Sequence, residues 1–331
     1  MGPLLRIEGV SVHFPIRKGL LQKQVGEVRA VENVSLTLNK GEAFGLVGES
    51  GCGKTTLARA VLRLVDPTSG AIWFDGENVG EMHGKALAPY RRRVAAIFQD
   101  PFSSLNPRMK TGQILAEVLK VHSYPGDIGA RVAELLSICG LAPRFAELYP
   151  HEMSGGQRQR VGIARALALE PDLIVCDEAV SALDVSIQAQ IINLLEELRA
   201  EFGLTYLFIG HDLSVVRHLC DRIAVMYLGR IMETGTSEEL FDNPRHPYTR
   251  ALIDAVPAPD PDGEEARDHV ALKGEIPSPL NPPPGCVFHT RCPIAMDRCR
   301  QEVPRTSRLG GHHAAACFAL EQETGKTAEI A

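Results

Sequence analysis

Apolar positions along the chain switch between two periods. Residues 4–14 (LLRIEGVSVHF) and 28–38 (VRAVENVSLTL) alternate in part and carry β-branched side chains, which predicts two strands of an antiparallel sheet. A polar, glycine-containing insert, residues 15–27, separates them. AFGLV (43–47) is a short continuous apolar run, the pattern of a buried strand, and it ends in glycines. KTTLARAVLRLV (54–65) then takes up the helical period and stops before Asp66-Pro67. DLIVCD (172–177) and TYLFIG (205–210) predict two more buried strands, with a helix over 186–203 between them, ended by Gly203. Residues 223–235 read as a closing hairpin around Gly229-Arg230. ILAEVLKVH (114–122) and ARVAELLSICG (130–140) predict two helices inserted between the halves of the core. Strands alternating with helices indicate a doubly wound α/β core.

From about residue 256 the pattern is lost. PAPDPDG and IPSPLNPPPG hold many of the 22 prolines, so linker or extended structure is predicted there. A length of 331 residues suggests about two domains: 1–255, with the helical insertion at about 100–165, and a small Pro/Cys-rich domain over 256–331. Lys and Arg total 35 against 41 Asp and Glu, a net charge of -6, which argues against a chain that coats nucleic acid. No run of about 18 apolar residues occurs, so no membrane span is expected. The start MGPLLRIEGV has neither a secretory nor a lipidation pattern, and a cytoplasmic location is the expectation.

Chemistry concentrates at three places. Gly48-Glu49-Ser50-Gly51-Cys52-Gly53-Lys54-Thr55 fits G-x-x-x-x-G-K-[ST] between the predicted strand and helix. Such a loop turns successive N–H groups toward phosphate oxygens, and the helix start adds its positive end. Gly48, Ser50, Gly51, Cys52, Gly53, Lys54, Thr55 and Thr56 are therefore candidate nucleotide-binding residues, with Lys54 on the β- and γ-phosphates and the Thr55 hydroxyl on Mg²⁺. The strand at 172–177 delivers Asp177 and Glu178 at its C-terminal edge, where α/β folds place active sites. Asp177 would hold Mg²⁺ and Glu178 would orient or deprotonate a water. His211, after the next strand, is a candidate for the γ-phosphate or that water.

Met153-Ser154-Gly155-Gly156-Gln157, followed by Arg158-Gln159-Arg160, resembles the signature motif of ABC ATPases, and its distance from the Asp177-Glu178 pair suits that family. The resemblance covers roughly residues 4–250 and implies an ABC-type P-loop ATPase core with an antiparallel β subdomain and an inserted helical subdomain. It implies that Ser154, Gly155, Gly156 and Gln157 close over the ATP of a partner cassette, two ATPs being sandwiched in a head-to-tail dimer. Gln99 is similar to the glutamine that touches Mg²⁺ and senses the transporter, and Asp184, in SALD, to the loop joining the two ATP sites. Phe14 is the candidate for stacking on adenine; as a bland alternative it is core at a strand end. Lys54, Gln99, Glu178 and His211 form the catalytic set, and Thr55, Gln99 and Asp177 the Mg²⁺ set. FQDPFSSLNPRM (98–109), HPYTRALIDAVP (246–257) and GEIPSPLNPPPGCVFHTRCP (274–293) narrow the resemblance to the ATP-binding subunits of oligopeptide/dipeptide importers.

That family implies ATP hydrolysis powering peptide import from the cytoplasmic face of the membrane. Its implied partners are a second ATPase subunit, with a heterodimer favoured, two transmembrane permease subunits and an extracytoplasmic solute-binding protein. A nickel or oligosaccharide importer is an alternative cargo reading. A soluble ABC ATPase acting on ribosomes or DNA is disfavoured by the single cassette, the absence of a sustained heptad region and the net charge.

The tail carries Cys286, Cys292, Cys299 and Cys317, spaced x5, x6 and x17. Four thiolates can hold zinc or a 4Fe–4S cluster. Zinc sites usually show close C-x2–4-C pairs, which this tail lacks, so a cluster is the expectation, with zinc or four metal-free thiols as alternatives. The family resemblance also implies such a cluster in some members.

Overall fold

The computed structural model describes residues 2–19, 23–100, 104–255 and 274–324. The strands are β1 (Leu5–Lys18), β2 (Lys23–Leu38), β3 (Ala43–Val47), β4 (Ser69–Phe74), β5 (Glu77–Asn78), β6 (Val94–Ile97), β7 (Leu173–Asp177), β8 (Thr205–Gly210), β9 (Arg222–Tyr227), β10 (Arg230–Thr236), β11 (Ser307–Gly310) and β12 (His313–Ala315). The chain forms two compact units. One contains Leu38–Ala43 and Trp73–Gly210 with the first few residues; the other contains Arg6–Thr37, Phe44–Ile72 and the chain from His211 onward.

In the first unit β6, β7 and β8 form a parallel run with β7 in the middle. Parallel strands are covered on both faces, and the sequence reads accordingly: LIVC of β7 and all of TYLFIG are buried. Burying one such Leu, Ile or Phe is favourable by roughly 1.5–3 kcal/mol, so these two strands anchor whatever stands at their ends. Two helices, Thr111–Val121 and Ile128–Ile138, carry Ile114, Leu115, Leu119, Val132, Leu135 and Leu136 inward at the 3–4 spacing the sequence predicted. The helix Val185–Phe202 buries Ile191, Leu194, Leu195 and Leu198 and ends at Gly203, whose φ of 64° is the left-handed C-cap. The Tyr206 hydroxyl, inside the fold, donates to the Leu195 carbonyl at 2.9 Å.

In the second unit the sheet order is β11-β12-β10-β9-β3, with β3 and β9 parallel and the other pairs antiparallel. β9 and β10 are the predicted hairpin; its turn residues Leu228 and Gly229 both have positive φ, as a tight hairpin requires. β1 lies between β2 and β4 in a separate sheet. Here the sequence reading needs correction: the polar insert at 15–27 is largely strand, because β1 runs on to Lys18 and β2 starts at Lys23. Backbone pairing needs no apolar side chains, and these extensions are mostly exposed. The predicted helix over 54–65 ends at Val61; Arg63 takes a positive φ of 56° and Leu64 is 60% exposed, so the last apolar positions extend a sequence period without a core to enter.

The tail is more ordered than its prolines suggested. Residues 256–273, including PAPDPDG, lie outside the described residues, but β12 adds to β10 through Glu233↔Ala315 and Thr234↔Ala314. This junction is locked by a buried carboxylate. Glu233 is fully buried and accepts from the amides of Arg245 (2.7 Å) and His246 (2.9 Å), with the His313 ring nitrogen Nε2 at 2.6 Å. Burial opposes the Glu233 charge, but the bonds from His313 and the two amides outweigh it and hold the carboxyl below its usual range. His246 is pushed down to about 4 by burial, so it stays neutral and its Nδ1 caps the helix Pro247–Asp254 by accepting from the Tyr248 amide at 3.1 Å.

Candidate functional site

β3 delivers the phosphate loop in the second unit. Its five residues AFGLV are all buried, and the helix Lys54–Val61 begins directly after the loop. Two glycines are obligatory for close approach. A Cβ on Gly48 (φ 151°) would fall 2.1 Å from the Met226 carbonyl oxygen, and one on Gly53 (φ 109°) would fall 2.0 Å from that of Ala30. Lys54 is buried, and its ammonium curls back to donate to the carbonyls of Gly48 (2.7 Å) and Glu49 (3.1 Å). The Cys52 amide donates to the Glu49 carbonyl and the Cys52 carbonyl accepts from Gly229, which pins the loop's far side. Burial raises the Cys52 thiol while Lys54 works against it, so Cys52 is a protonated filler and not a nucleophile. Ser50 and Gly51 are exposed, and Thr55 and Thr56 are partly exposed in the first helical turn. Phe14 on β1 is 40% exposed, which excludes the core alternative for it.

In the first unit, β7 presents Asp177 and Glu178 at its C-terminal end, both half-buried. Glu178 holds a left-handed φ of 51°, uncommon for a non-glycine residue. That turn is held in place: the Glu178 amide donates to the Ile209 carbonyl at 2.9 Å, and its carbonyl accepts from the Ser181 hydroxyl at 3.0 Å. Strain of this kind, over-determined by its surroundings, is a mark of functional sites. Gln99, two residues beyond β6, donates from Nε2 to the Glu178 carboxylate at 2.7 Å. Two predicted site residues 79 positions apart are thus in direct contact. His211, exposed, follows the end of β8.

The signature residues also belong to the first unit. Ser154 is the N-cap of the helix Gly155–Leu167; its hydroxyl accepts from the Gln157 amide at 3.3 Å, and Gln157 Oε1 accepts from the Ser154 amide at 2.9 Å. Gly155 and Gly156 therefore lie within the first turn of this helix. This end is tied to the carboxylate turn by Gln159, buried, which donates to the Ala179 carbonyl at 2.5 Å. Asp184 caps the helix Val185–Phe202, accepting from the Ile187 amide (2.9 Å) and the Ser186 hydroxyl (2.8 Å), and these bonds hold its carboxyl low.

The cysteine tail does not meet the expectation of a metal centre. Burial raises the thiols of Cys286 (to about 11), Cys292 and Cys317, and neighbouring tail cysteines, Cys299 among them, add to the rise. The tail cysteines are thus within electrostatic reach of one another. Among the described residues no group of three or more His, Cys, Asp or Glu could hold a metal ion. The two histidines nearest in sequence are engaged elsewhere: His289 Nδ1 lies 2.8 Å from the Cys286 carbonyl and His313 bonds Glu233. The 4Fe–4S cluster, and the zinc alternative, are therefore not supported.

Sequence reasoning missed three residues around the phosphate loop. The Glu49 amide donates to the Tyr248 hydroxyl at 2.9 Å, and the Glu49 carboxylate receives both terminal nitrogens of Arg291, at 2.6 and 3.1 Å. Glu49 occupies a variable position of the loop motif, and no local pattern links it to residues 199 and 242 positions away.

Comparisons with known proteins agree with this geometry. Residues 31–181 match the ABC transporter family, and residues 232–299 match the C-terminal region of oligopeptide/dipeptide transporters. The chain is 53% identical to the oligopeptide transport ATP-binding protein AppF of Bacillus subtilis (strain 168), over 95% of this chain and 96% of that one. It is 52% identical to a probable peptide ABC transporter ATP-binding protein, y4tS, of Sinorhizobium fredii, over 95% and 89%. Among solved structures, cbiO1 of Clostridium perfringens, part of an ABC transporter complex, superposes with a TM-score of 0.63 at 26% identity, covering 73% of this chain and 92% of that one. The ATP-binding cassette MJ0796, in a post-hydrolysis dimer with ADP and Pi, gives 0.62 at 29% identity, covering 70% and 98%. With the phosphate loop, the carboxylate turn and the capped signature helix all in place, this chain belongs to the ATP-binding subunits of ABC transporters of the oligopeptide/dipeptide type.

Proposed function

We propose that this ATPase subunit powers the import of dipeptides or oligopeptides. The observation that carries the cargo reading is the end-to-end likeness to peptide-transport relatives, which extends through the C-terminal region. Lys54 and the amides of residues 50–56 bind the ATP phosphates, and Phe14 stacks on the adenine. Thr55, Gln99 and Asp177 supply oxygen donors that suit Mg²⁺, an ion usually held by one or two protein carboxylates together with substrate phosphates. When bound, Mg²⁺ neutralises charge on the β- and γ-phosphates. Glu178, steadied by Gln99, polarises the attacking water, and His211 contacts the γ-phosphate. Ser154, Gly155, Gly156 and Gln157 cover the nucleotide of a partner cassette, and Asp184 links the two sites.

The division into a nucleotide-binding domain, 1–255, with its helical subdomain at about 100–165, and a C-terminal domain, 256–331, is part of this proposal. No helix among the described residues is long and apolar enough to cross a membrane, so the translocation path falls to other chains. The full partner set is a second ATPase subunit forming a heterodimer, two permease subunits and an extracytoplasmic solute-binding protein, with this chain peripheral on the cytoplasmic face. No iron–sulfur chemistry enters the reading. Affinity capture of the full chain from detergent-solubilised native membranes tests the assembly. Recovery of two polytopic subunits and a second cassette is expected; ribosomes or nucleic acid without membrane subunits would overturn it.

A further inference from the structure

We propose that Arg291, carried by the cysteine-bearing tail, is a positioning residue for the nucleotide: it clamps Glu49, fixes the first turn of the phosphate loop and cancels that residue's charge. The inference rests on the reading that ATP binds this loop. Glu49 directly follows Gly48, so its carboxylate belongs to the loop that receives a polyanion. A carboxylate there opposes phosphate binding unless a cation neutralises it. Arg291 does so in the strongest available form, two parallel N–H···O bonds at 2.6 and 3.1 Å. The Arg291 side chain is only 5% exposed, against 23% for Glu49, so water screens the pair little.

The clamp is built from three directions. The Arg291 guanidinium carbon lies 5.8 Å from the centre of the Tyr227 ring. Tyr227, Tyr248 and Phe288 stand in mutual contact, with ring centres 4.8 to 5.3 Å apart, and form an apolar floor. Tyr248 also accepts from the Glu49 amide, so the backbone and side chain of one loop residue are gripped separately. Glu49 further supplies the carbonyl that receives Lys54. A shift at Glu49 therefore moves the partner of the lysine that binds phosphate. Nothing in the tail needs to touch the nucleotide for it to set the loop's geometry.

The test uses the full-length chain with ATP itself as probe, reading ATP affinity, KM and kcat alongside a thermal melt. Arg291→Ala should weaken ATP binding about tenfold or more, because one half of a buried charge pair is left uncompensated. The effect should fall on KM, with kcat at saturating ATP changed less than about threefold. Adding Glu49→Gln to Arg291→Ala should restore most of the affinity, since the offending charge is gone. Arg291→Lys, which keeps the charge and loses the fork, should fall between. Unchanged affinity in Arg291→Ala would overturn the proposal. So would a loss that Glu49→Gln leaves uncorrected, which would mark Arg291 as merely a packing residue. If the Ala variant does not fold, the Lys and double variants decide by the same criteria. Wild-type chain that binds no ATP would instead refute the nucleotide-site reading on which the proposal stands.

Discussion

Glu178→Gln should leave ATP binding intact and lower the hydrolysis rate by about 10²- to 10⁴-fold, the usual contribution of a positioned general base. The structure explains why the two effects should separate. The amide is the same size as the carboxylate, and its oxygen can still accept from Gln99, which now donates to Glu178 at 2.7 Å. The turn itself is fixed by backbone bonds to Ile209 and from Ser181, neither of which the substitution touches. What is lost is the negative charge and basicity that would draw a proton from water. The variant should therefore bind ATP with near-normal affinity and accumulate the closed, ATP-bound dimer. Steady-state phosphate release together with equilibrium nucleotide binding measures both halves of the prediction. Unchanged turnover would show that another group activates the water.

Lys54→Ala should fail one step earlier. Its ammonium now satisfies the carbonyls of Gly48 and Glu49, and it is the buried cation of the loop. Charge-assisted hydrogen bonds contribute about 1.5–3 kcal/mol each, so losing the contacts of one ammonium to a triphosphate should weaken ATP binding by about 10²-fold or more. The loop carbonyls also lose a donor, which loosens the curl that Gly48 and Gly53 make sterically feasible. Binding measured directly, by calorimetry or a fluorescent nucleotide, decides this. Normal affinity would refute the role of Lys54. The two variants thus divide the cycle: one binds without hydrolysing, the other does not bind.

Much of this site was legible in the chain because its logic is local. The phosphate loop announces itself by glycines at fixed spacing between a buried strand and a helix, and the carboxylate pair by a strand with acids at its end. Here the same residues specify both the conformation and the chemistry. The strand TYLFIG was readable to the residue because every one of its positions is buried. Three kinds of feature were not readable. The β1–β2 ribbon extends through a polar segment, since a backbone ladder leaves no mark on side-chain pattern. β12 is three residues long and takes its place from β10 and the buried Glu233–His313 contact, 80 positions apart. The Arg291–Glu49 clamp joins a proline-rich tail to the phosphate loop across 242 positions, and only the folded chain brings its ends together. The cysteine expectation is not supported among the described residues: spacing counts thiols, and no group of three or more His, Cys, Asp or Glu there could hold a metal ion.

The most direct test of the central claim is ATP-dependent uptake of labelled di- and oligopeptides by cells lacking this chain and supplied with the wild type or with Glu178→Gln. Uptake restored by the wild type and absent with the variant, at equal protein levels, is the predicted result. Uptake that is the same with the wild type, with the variant and with no added chain would contradict it.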